Sequence, residues 1–369
     1  MTGGGRLDVR TAAGSYPVVV RAGASRDLPG LAEELIPGGR VALIADSNVG
    51  PLHADRLAEV CRRWGLDVVS LRFPAGESSK SRRQWIRLTD ALLDAGLGRD
   101  HGIVGLGGGV TTDLAGFVAA TYMRGIPLIQ LPSSYLAMID ASVGGKTGVD
   151  VEAGKNLVGA FHHPAAVLAD TQLLGTLPQR ERREGLVEGV KHGAILDAEH
   201  LARLAGSLDE LLAADVEVAS EIVLASVALK ARVVSEDERE RGFRQILNFG
   251  HTIGHAVEAA SGFAVGHGSA VGLGMLAEAE IGERMGITDP GTRDVLEELL
   301  GALLILPETP VSPVRALTFL GHDKKSRGGR PRFVLLRRPG AVARNDGQWT
   351  WEVPEDLVRA ALRRVLEAD

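Results

Sequence analysis

The sequence predicts an α/β N-terminal domain on a mostly parallel sheet, followed by a mainly α-helical C-terminal domain, with the boundary near Pro178. Two observations carry this reading. In the first half, short apolar runs alternate with amphipathic segments, the pattern of strands covered by helices on both faces. After TLPQRE (176–181) the texture changes, and apolar residues recur at helical spacing through long segments.

The elements follow in order. VRTAAGSYPVVVRAG reads as a β-hairpin added at one edge of the sheet. RVALIADSN (40–48) is a buried strand, followed by a helix over 51–64. LDVVSLRF is the next strand, and Ser79 is placed to cap the helix SRRQWIRLTDALLDAG. GIVGLGGG (102–109) runs from a strand into a glycine turn that opens the helix TTDLAGFVAATYM. PLIQLPSS and AAVLAD (165–170) complete the parallel set. Beyond Pro178, EGLVEGVKHGAIL, VASEIVLASVALKARVVSEDE, FGHTIGHAVEAA and AVGLGMLAEAEIGERMG read as helices. RPRFVLLRR (330–338) is the one later strand, and RNDGQWTW is expected as a surface hairpin. The domains expected are 1–178 and 179–369.

Composition narrows the function classes. A formal charge of −6 argues against a general nucleic-acid binder, and 4% aromatic residues leave little for base-stacking platforms. The 45% hydrophobic and 24% charged fractions are those of a soluble globular protein, and 369 residues suffice for two buried cores. Cys61, the single cysteine, falls in a helical pattern and is expected as a buried apolar filler. No signal-peptide pattern or membrane-length apolar run is evident, so a cytoplasmic setting is expected.

Several motifs carry chemistry. Gly105-Leu-Gly107-Gly108-Gly109 closes a strand and opens a helix, where backbone N–H groups can approach a pyrophosphate. Val110 stands where the usual dinucleotide fingerprint has a further glycine, so a ligand-free tight turn competes with the phosphate reading. Asp113 in the following helix reads as a cap or a ligand contact. Asp46 and Asn48 follow the first parallel strand, where a carboxylate can hold a ribose or simply form the turn. Gly-Lys146-Thr147 fails as a P-loop because Asp140 occupies the position of the required glycine. Lys146, with Lys155 and Asn156 soon after, suits an anionic substrate, with solvated loop lysines as the alternative. Asn248-Phe-Gly-His251-Thr-Ile-Gly-His255 places two imidazoles at i, i+4 on one helix face, and His267 follows. Glu188 and Lys191 lie at i, i+3 on another helix. Three N or O ligands with an open position is a catalytic zinc pattern, but spacing leaves open which histidines belong to it. Lys230, Arg244 and the Asp323-Lys324-Lys325 motif add positive charge for a phosphate or carboxylate.

Taken together, GGGVTTDLAGFVAATYMRGI, DASVGGKTGVD, GKNLVGAFHHP, TLPQRE, EGLVEGVKHG, RQILNFGHTIGHAVE, GHGSAVGLGM and DKKSRGG closely resemble the 3-dehydroquinate synthase family of sugar phosphate cyclases. The match runs in one order over roughly residues 40 to 340. The resemblance implies a Rossmann-like N-terminal domain and an α-helical C-terminal domain. It implies Glu188, His251 and His267 as ligands of Zn²⁺ or Co²⁺, which moves His255 to a substrate or water contact. Asp46, Asn48, Glu77, Lys80, Gly108, Gly109, Asp113, Ser133, Ser134, Asp140, Lys155 and Thr176 match positions that hold NAD. Lys146, Asn156, Lys191, Lys230, Arg244, Asn248 and one lysine of the pair Lys324 and Lys325 match positions around the substrate.

The implied reaction converts 3-deoxy-D-arabino-heptulosonate 7-phosphate to 3-dehydroquinate and phosphate. A hydroxyl is oxidised, phosphate leaves by β-elimination, the ketone is reduced again, and an aldol closure forms the ring. The substrate's own phosphate is implied as the base. The resemblance also implies a homodimer acting on a small phosphorylated sugar acid, with no nucleic-acid or membrane partner. The chain departs from the family's usual residues in three places. Ser133-Ser134 stands for a Thr pair, Asp150 for Asn, and Ser269 for Glu, the last altering the charge beside the metal. Alternatives are cyclases making a valiolone, deoxy-inosose or amino-dehydroquinate product, a metal-dependent polyol dehydrogenase, and a non-enzymatic binding protein. Retention of Lys230, Arg244 and Asn248 favours a carboxylate-bearing substrate.

Overall fold

A computed structural model describes residues 4–152, 154–321 and 331–367. Its contacts divide the chain into two compact units, Met1–Pro178 with Ala213–Ser235, and Gln179–Leu212 with Glu236–Asp369.

The first unit is built on a seven-stranded sheet in the order β1-β2-β9-β6-β5-β3-β4. Its strands are β1 (Gly4–Thr11), β2 (Gly14–Arg21), β3 (Arg40–Asp46), β4 (Asp67–Phe73), β5 (Gly102–Gly107), β6 (Leu128–Pro132) and β9 (Ala166–Asp170). β1 and β2 form the expected antiparallel edge hairpin, and β2 continues the sheet by pairing parallel to β9. Alternation along β3 explains the double cover. Val41, Leu43 and Ala45 face one core with α1 (Leu28–Leu35) and α2 (Asp55–Trp64), and Cys61 is buried there as expected. Ala42 and Ile44 face the other core with α3 (Arg82–Asp94) and α4 (Gly109–Thr121). Burial pushes the Cys61 thiol up to about 11, which keeps it inert.

Three local features differ from the sequence expectation. The cap of α3 is Ser81, whose side chain accepts the Gln84 N–H, while Ser79 is buried in the preceding turn. The Gly-Lys-Thr segment, expected as a glycine turn, runs into a strand. It opens β7 (Lys146–Val151), which pairs with β8 (Gly154–Phe161) in a separate two-stranded ribbon. This ribbon was not readable because its glycines and polar residues carry turn signals rather than period-2 alternation. The third difference is helical. The segment Ala213–Ser235, which holds all of α8 (Val216–Glu236) except Glu236, belongs to the first unit, so the units are not the contiguous 1–178 and 179–369. Side chains tie it there along its length. The Ser220 and Thr171 hydroxyls bond at 2.8 Å, the Lys230 ammonium donates to Asp140, and Ser235 Oγ donates to the Arg10 carbonyl.

The second unit is mainly helical, as expected. It holds α5 (Gln179–Leu196), α6 (Ala198–Gly206), α7 (Leu208–Leu212), α9 (His251–Ala260), α10 (His267–Arg284), α11 (Thr292–Gly301), α12 (Pro313–Gly321) and α13 (Glu355–Leu366). α10 is almost wholly buried and packs against α5, α9, α11 and α13. The strand expected over 330–338 shortens to β10 (Leu336–Arg338), paired with β11 (Ala341–Val342), plus a bridge from Phe333 to Trp351. No helix among the described residues is long and apolar enough to cross a membrane.

Candidate active site

In an open parallel sheet, ligands collect beyond the carboxyl ends of strands where the order reverses. Here β3 is followed by β4 on one side, and the chain then crosses to β5 on the other, so the reversal lies between β3 and β5. Asp46 ends β3 and the glycines follow β5. Asp46 Oδ1 accepts the N–H groups of Asn48 at 2.8 Å and Val49 at 3.0 Å, which makes the turn, while Oδ2 accepts from Thr111 Oγ at 3.3 Å. The glycines have different reasons. A Cβ on Gly107 would lie 2.2 Å from Thr111 Oγ, so packing alone excludes a side chain there. At Gly108 and Gly109 a Cβ would meet nothing closer than 3.5 Å, and neither backbone is left-handed. No side chain caps α4 at Gly108. These two glycines leave an open cradle at a helix N-terminus, which fits the pyrophosphate of a dinucleotide. Ser133 donates its N–H to the Gly107 carbonyl, and Ser134 Oγ lies 3.5 Å from where a Gly108 Cβ would stand. Thr176 Oγ bonds His53 Nε2 at 2.7 Å.

Next to this cradle lies a charge network centred on the buried Lys80. The Lys80 ammonium is 2.5 Å from Asp113 Oδ2 and donates to Asn156 Oδ1 at 2.5 Å. Burial alone would lower the Lys80 pKa, but Asp113 and Glu77 outweigh it and hold it above its ordinary value. Burial pushes the Asp113 carboxyl up, against the pull of Lys80. Glu77 is likewise raised by burial and opposed by Lys80 and Lys155, the latter 3.9 Å away. Asn156 adopts a left-handed backbone (φ 55°), held by the Asp150 carboxylate, which accepts its N–H at 2.8 Å. Asp150 thus has a structural role. Lys230, on α8, donates to both the carbonyl and the carboxylate of Asp140 at 2.6 Å. Lys146 is exposed at the start of β7.

In the second unit, helix packing assembles the histidines. Gly250 has φ 78°, and a Cβ there would lie 2.6 Å from the Val271 carbonyl oxygen. A Cβ on Gly274 would lie 1.9 Å from the Gly250 oxygen, so only glycines allow α9 and α10 to cross this closely. The crossing brings the His251 and His267 rings to 5.4 Å between centroids. Glu188 is fully buried on α5, with Oε1 3.6 Å from His251 Nε2 and 3.4 Å from His267 Nε2. Glu188, His251 and His267 each offer one ligand atom, all within 4.8 Å of one another. Two imidazoles and a carboxylate fit a Zn²⁺ or Co²⁺ ion. His255, Glu258 and His267 form a second such group, so His255 lies beside the first set rather than in it. Burial and the Lys191 charge lower His251 well below the ordinary histidine range, leaving a neutral donor. Burial opposes protonation of His267, yet Glu188 and Glu258 raise it to about 10. Lys191 forms a buried ion pair with Glu188 one turn away.

A pocket opens on this cluster, lined by Glu240, Asn248, His251, His255, Arg332, Gln348 and Trp349 among others. Asn248 Nδ donates to Glu240 Oε1 at 2.7 Å. Arg244 is buried and donates to the Glu238 carbonyl at 2.7 Å. The segment expected as a surface hairpin therefore forms a pocket wall through Gln348 and Trp349. Its only sequence signal was two tryptophans beside an Asp-Gly turn. Glu258 also escaped the sequence reading, although it lies at i+3 from His255 and i+7 from His251 on one helix face. Ser269 does not leave the metal side short of a carboxylate, because it bonds the buried Glu184 at 2.6 Å. Lys324 and Lys325 lie outside the described residues.

Residues 70–184 match the family profile for the 3-dehydroquinate synthase N-terminal domain, and residues 185–326 that for the C-terminal domain. The 3-dehydroquinate synthase of Symbiobacterium thermophilum is 44% identical over 95% of this chain and 98% of its own. A crystal structure of 2-deoxy-scyllo-inosose synthase with carbaglucose-6-phosphate, NAD⁺ and Co²⁺ superposes with a TM-score of 0.89 at 28% identity, covering 97% of this chain and 99% of that one. A 2-epi-5-epi-valiolone synthase from Streptomyces hygroscopicus subsp. jinggangensis, with NAD⁺ and Zn²⁺ bound, gives 0.85 at 27% identity, covering 96% and 97%. On this evidence of sequence and shape, the chain belongs to the 3-dehydroquinate synthase family.

Proposed function

We propose that this chain is a 3-dehydroquinate synthase, converting 3-deoxy-D-arabino-heptulosonate 7-phosphate to 3-dehydroquinate and phosphate with NAD and a divalent metal. The observation that carries the reading is the convergence of Glu188, His251 and His267 on one point beside the pocket, in a chain of this family. When bound, NAD supplies a reversible hydride acceptor and Zn²⁺ or Co²⁺ a Lewis acid, so that an alcohol is oxidised and restored with no net NADH.

The chain's own residues bind and orient. In the first unit, the Gly108–Gly109 cradle takes the pyrophosphate. Asp46, Asn48, Glu77, Lys80, Asp113, Ser133, Ser134, Asp140, Lys155 and Thr176 surround the rest of the dinucleotide. Lys146, Asn156 and Lys230 meet the anionic substrate. In the second unit, Lys191 offsets the Glu188 charge, and burial together with Lys191 lowers the His251 pKa, which favours the neutral imidazole as a donor. Arg244 and Asn248 take the substrate's carboxylate and hydroxyls, and His255 exchanges a proton with a bound hydroxyl or water. Orientation and fixed charge are the protein's share of the work. The family resemblance supports a homodimer. The single buried cysteine supports a cytoplasmic, reducing setting.

The test follows phosphate and NADH together. Metal-loaded protein with NAD and the heptulosonate phosphate is expected to release phosphate and form 3-dehydroquinate without NADH accumulating. Accumulating NADH points instead to a dehydrogenase. Turnover of sedoheptulose 7-phosphate in place of the heptulosonate phosphate assigns the chain to the valiolone-forming cyclases.

A further inference from the structure

His251 is the first residue of α9 and His267 the first of α10. Helix N-termini present N–H groups that need acceptors, usually a Ser, Thr, Asp or Asn at the preceding position. Here both preceding residues are glycines, Gly250 and Gly266, which have no side chain to cap with. Buried glutamates from other helices do it instead. Glu278 Oε2, on α10, accepts the Gly250 N–H at 2.8 Å. Glu184 Oε2, on α5, accepts the Ser269 N–H at 2.9 Å, and its Oε1 accepts the Ser269 hydroxyl at 2.6 Å. Ser269 Oγ in turn accepts the Ile305 N–H at 3.0 Å. Gly266 has no room for a side chain, because a Cβ there would lie 2.5 Å from the Glu184 carboxyl.

These contacts form a chain of anchors from α5 to α10 to α9. Glu184 lies one turn before Glu188 on α5, so one helix carries both a carboxylate of the metal set and the anchor of His267. We propose that Glu184 and Glu278 are positioning residues that fix His267 and His251 for metal binding by capping their helices from outside. This rests on the reading of Glu188, His251 and His267 as the metal ligands. Buried carboxylates are costly to keep, and these two are held by donors at short distance. The return is rigidity at the two residues whose ring positions matter most.

Metal affinity and the Co²⁺ absorption spectrum read this directly in the full chain. Glu184→Ala is expected to weaken Zn²⁺ binding, measured against a chromophoric chelator, by about 10- to 100-fold and to alter the Co²⁺ spectrum. Glu184→Gln, which keeps an acceptor for the Ser269 N–H, is expected to recover most of the affinity. Ser269→Ala, which removes the hydroxyl's bonds to Glu184 and Ile305 but keeps the Ser269 N–H on Glu184, is expected to weaken binding less than Glu184→Ala. If the alanine variant does not fold, the Gln and Ser269 variants carry the comparison. Unchanged metal affinity and spectrum in folded variants, with or without a lower melting temperature, overturn the proposal. His251→Ala separates this failure from that of the ligand set. If His251→Ala still binds metal normally, the ligand set is wrong. If it loses metal while Glu184→Ala and Ser269→Ala do not, only the positioning role fails.

Discussion

Lys80 is 5% exposed, and its ammonium is shared between the Asp113 carboxylate and the Asn156 amide. Removing one partner of such a pair leaves the other charge buried without compensation, at a cost of about 3–5 kcal/mol. Lys80→Met is therefore expected to lower the unfolding free energy by that order in urea titrations. The double variant Lys80→Met with Asp113→Asn is expected to recover much of it, since no isolated carboxylate remains. Equal losses in the single and double variants mean that the pair contributes little beyond packing. Resemblance named both residues as dinucleotide contacts, but nothing in the sequence paired them. The pairing arises because the turn after β4 and the first turns of α4 meet beyond the sheet, a contact set by strand order. His255 shows the opposite case. Its i, i+4 spacing from His251 was legible and suggested a shared ligand set, yet the crossing of α9 and α10 groups His251 with Glu188 and His267, and His255 with Glu258 and His267.

At the scale of elements, helical and strand periodicity were read from the sequence, while the crossings that use them were not. The glycines of α9 and α10 have their reason in the close approach at Gly250, Gly254 and Gly274. A Gly274→Ala methyl would sit 1.9 Å from the Gly250 carbonyl oxygen, which the neighbouring backbone can relieve only by separating the helices. Overpacking of this kind costs about 1–3 kcal/mol. Gly274→Ala is expected to melt at lower temperature and to bind Zn²⁺ more weakly than the unaltered chain, because His251 moves away from His267 as α9 shifts. A lower melting temperature with unaltered Zn²⁺ affinity would show that the ligand geometry survives the shift. The β7–β8 ribbon and the Ser81 cap were missed for a common reason. Both rest on turn chemistry, in which a shift of two residues changes the element without changing composition.

At the scale of the whole molecule, the contiguous division at Pro178 differs from the two compact units by the segment 213–235, which holds nearly all of α8. A long amphipathic helix in a helical stretch gives no signal of which core will receive it. Its bonds show the answer: Ser220 to Thr171, Lys230 to Asp140, and Ser235 to the Arg10 carbonyl all join it to residues before Pro178. Leu224 also lies 3.0 Å from where a Gly5 Cβ would stand. A fragment of residues 1–178 lacks these contacts and deprives Asp140 of the Lys230 ammonium. The fragment also opens to water the surface against which α8 buries Ile222, Val223, Val227, Val233 and Val234, a loss set against only about 5–15 kcal/mol that holds a domain folded. The 1–178 fragment is therefore expected to lack a cooperative thermal transition by circular dichroism and to aggregate. Joining residues 213–235 to it through a flexible linker is expected to restore a cooperative melt. A cooperative transition in the shorter fragment would show that α8 is an accessory to the first unit and not part of its core.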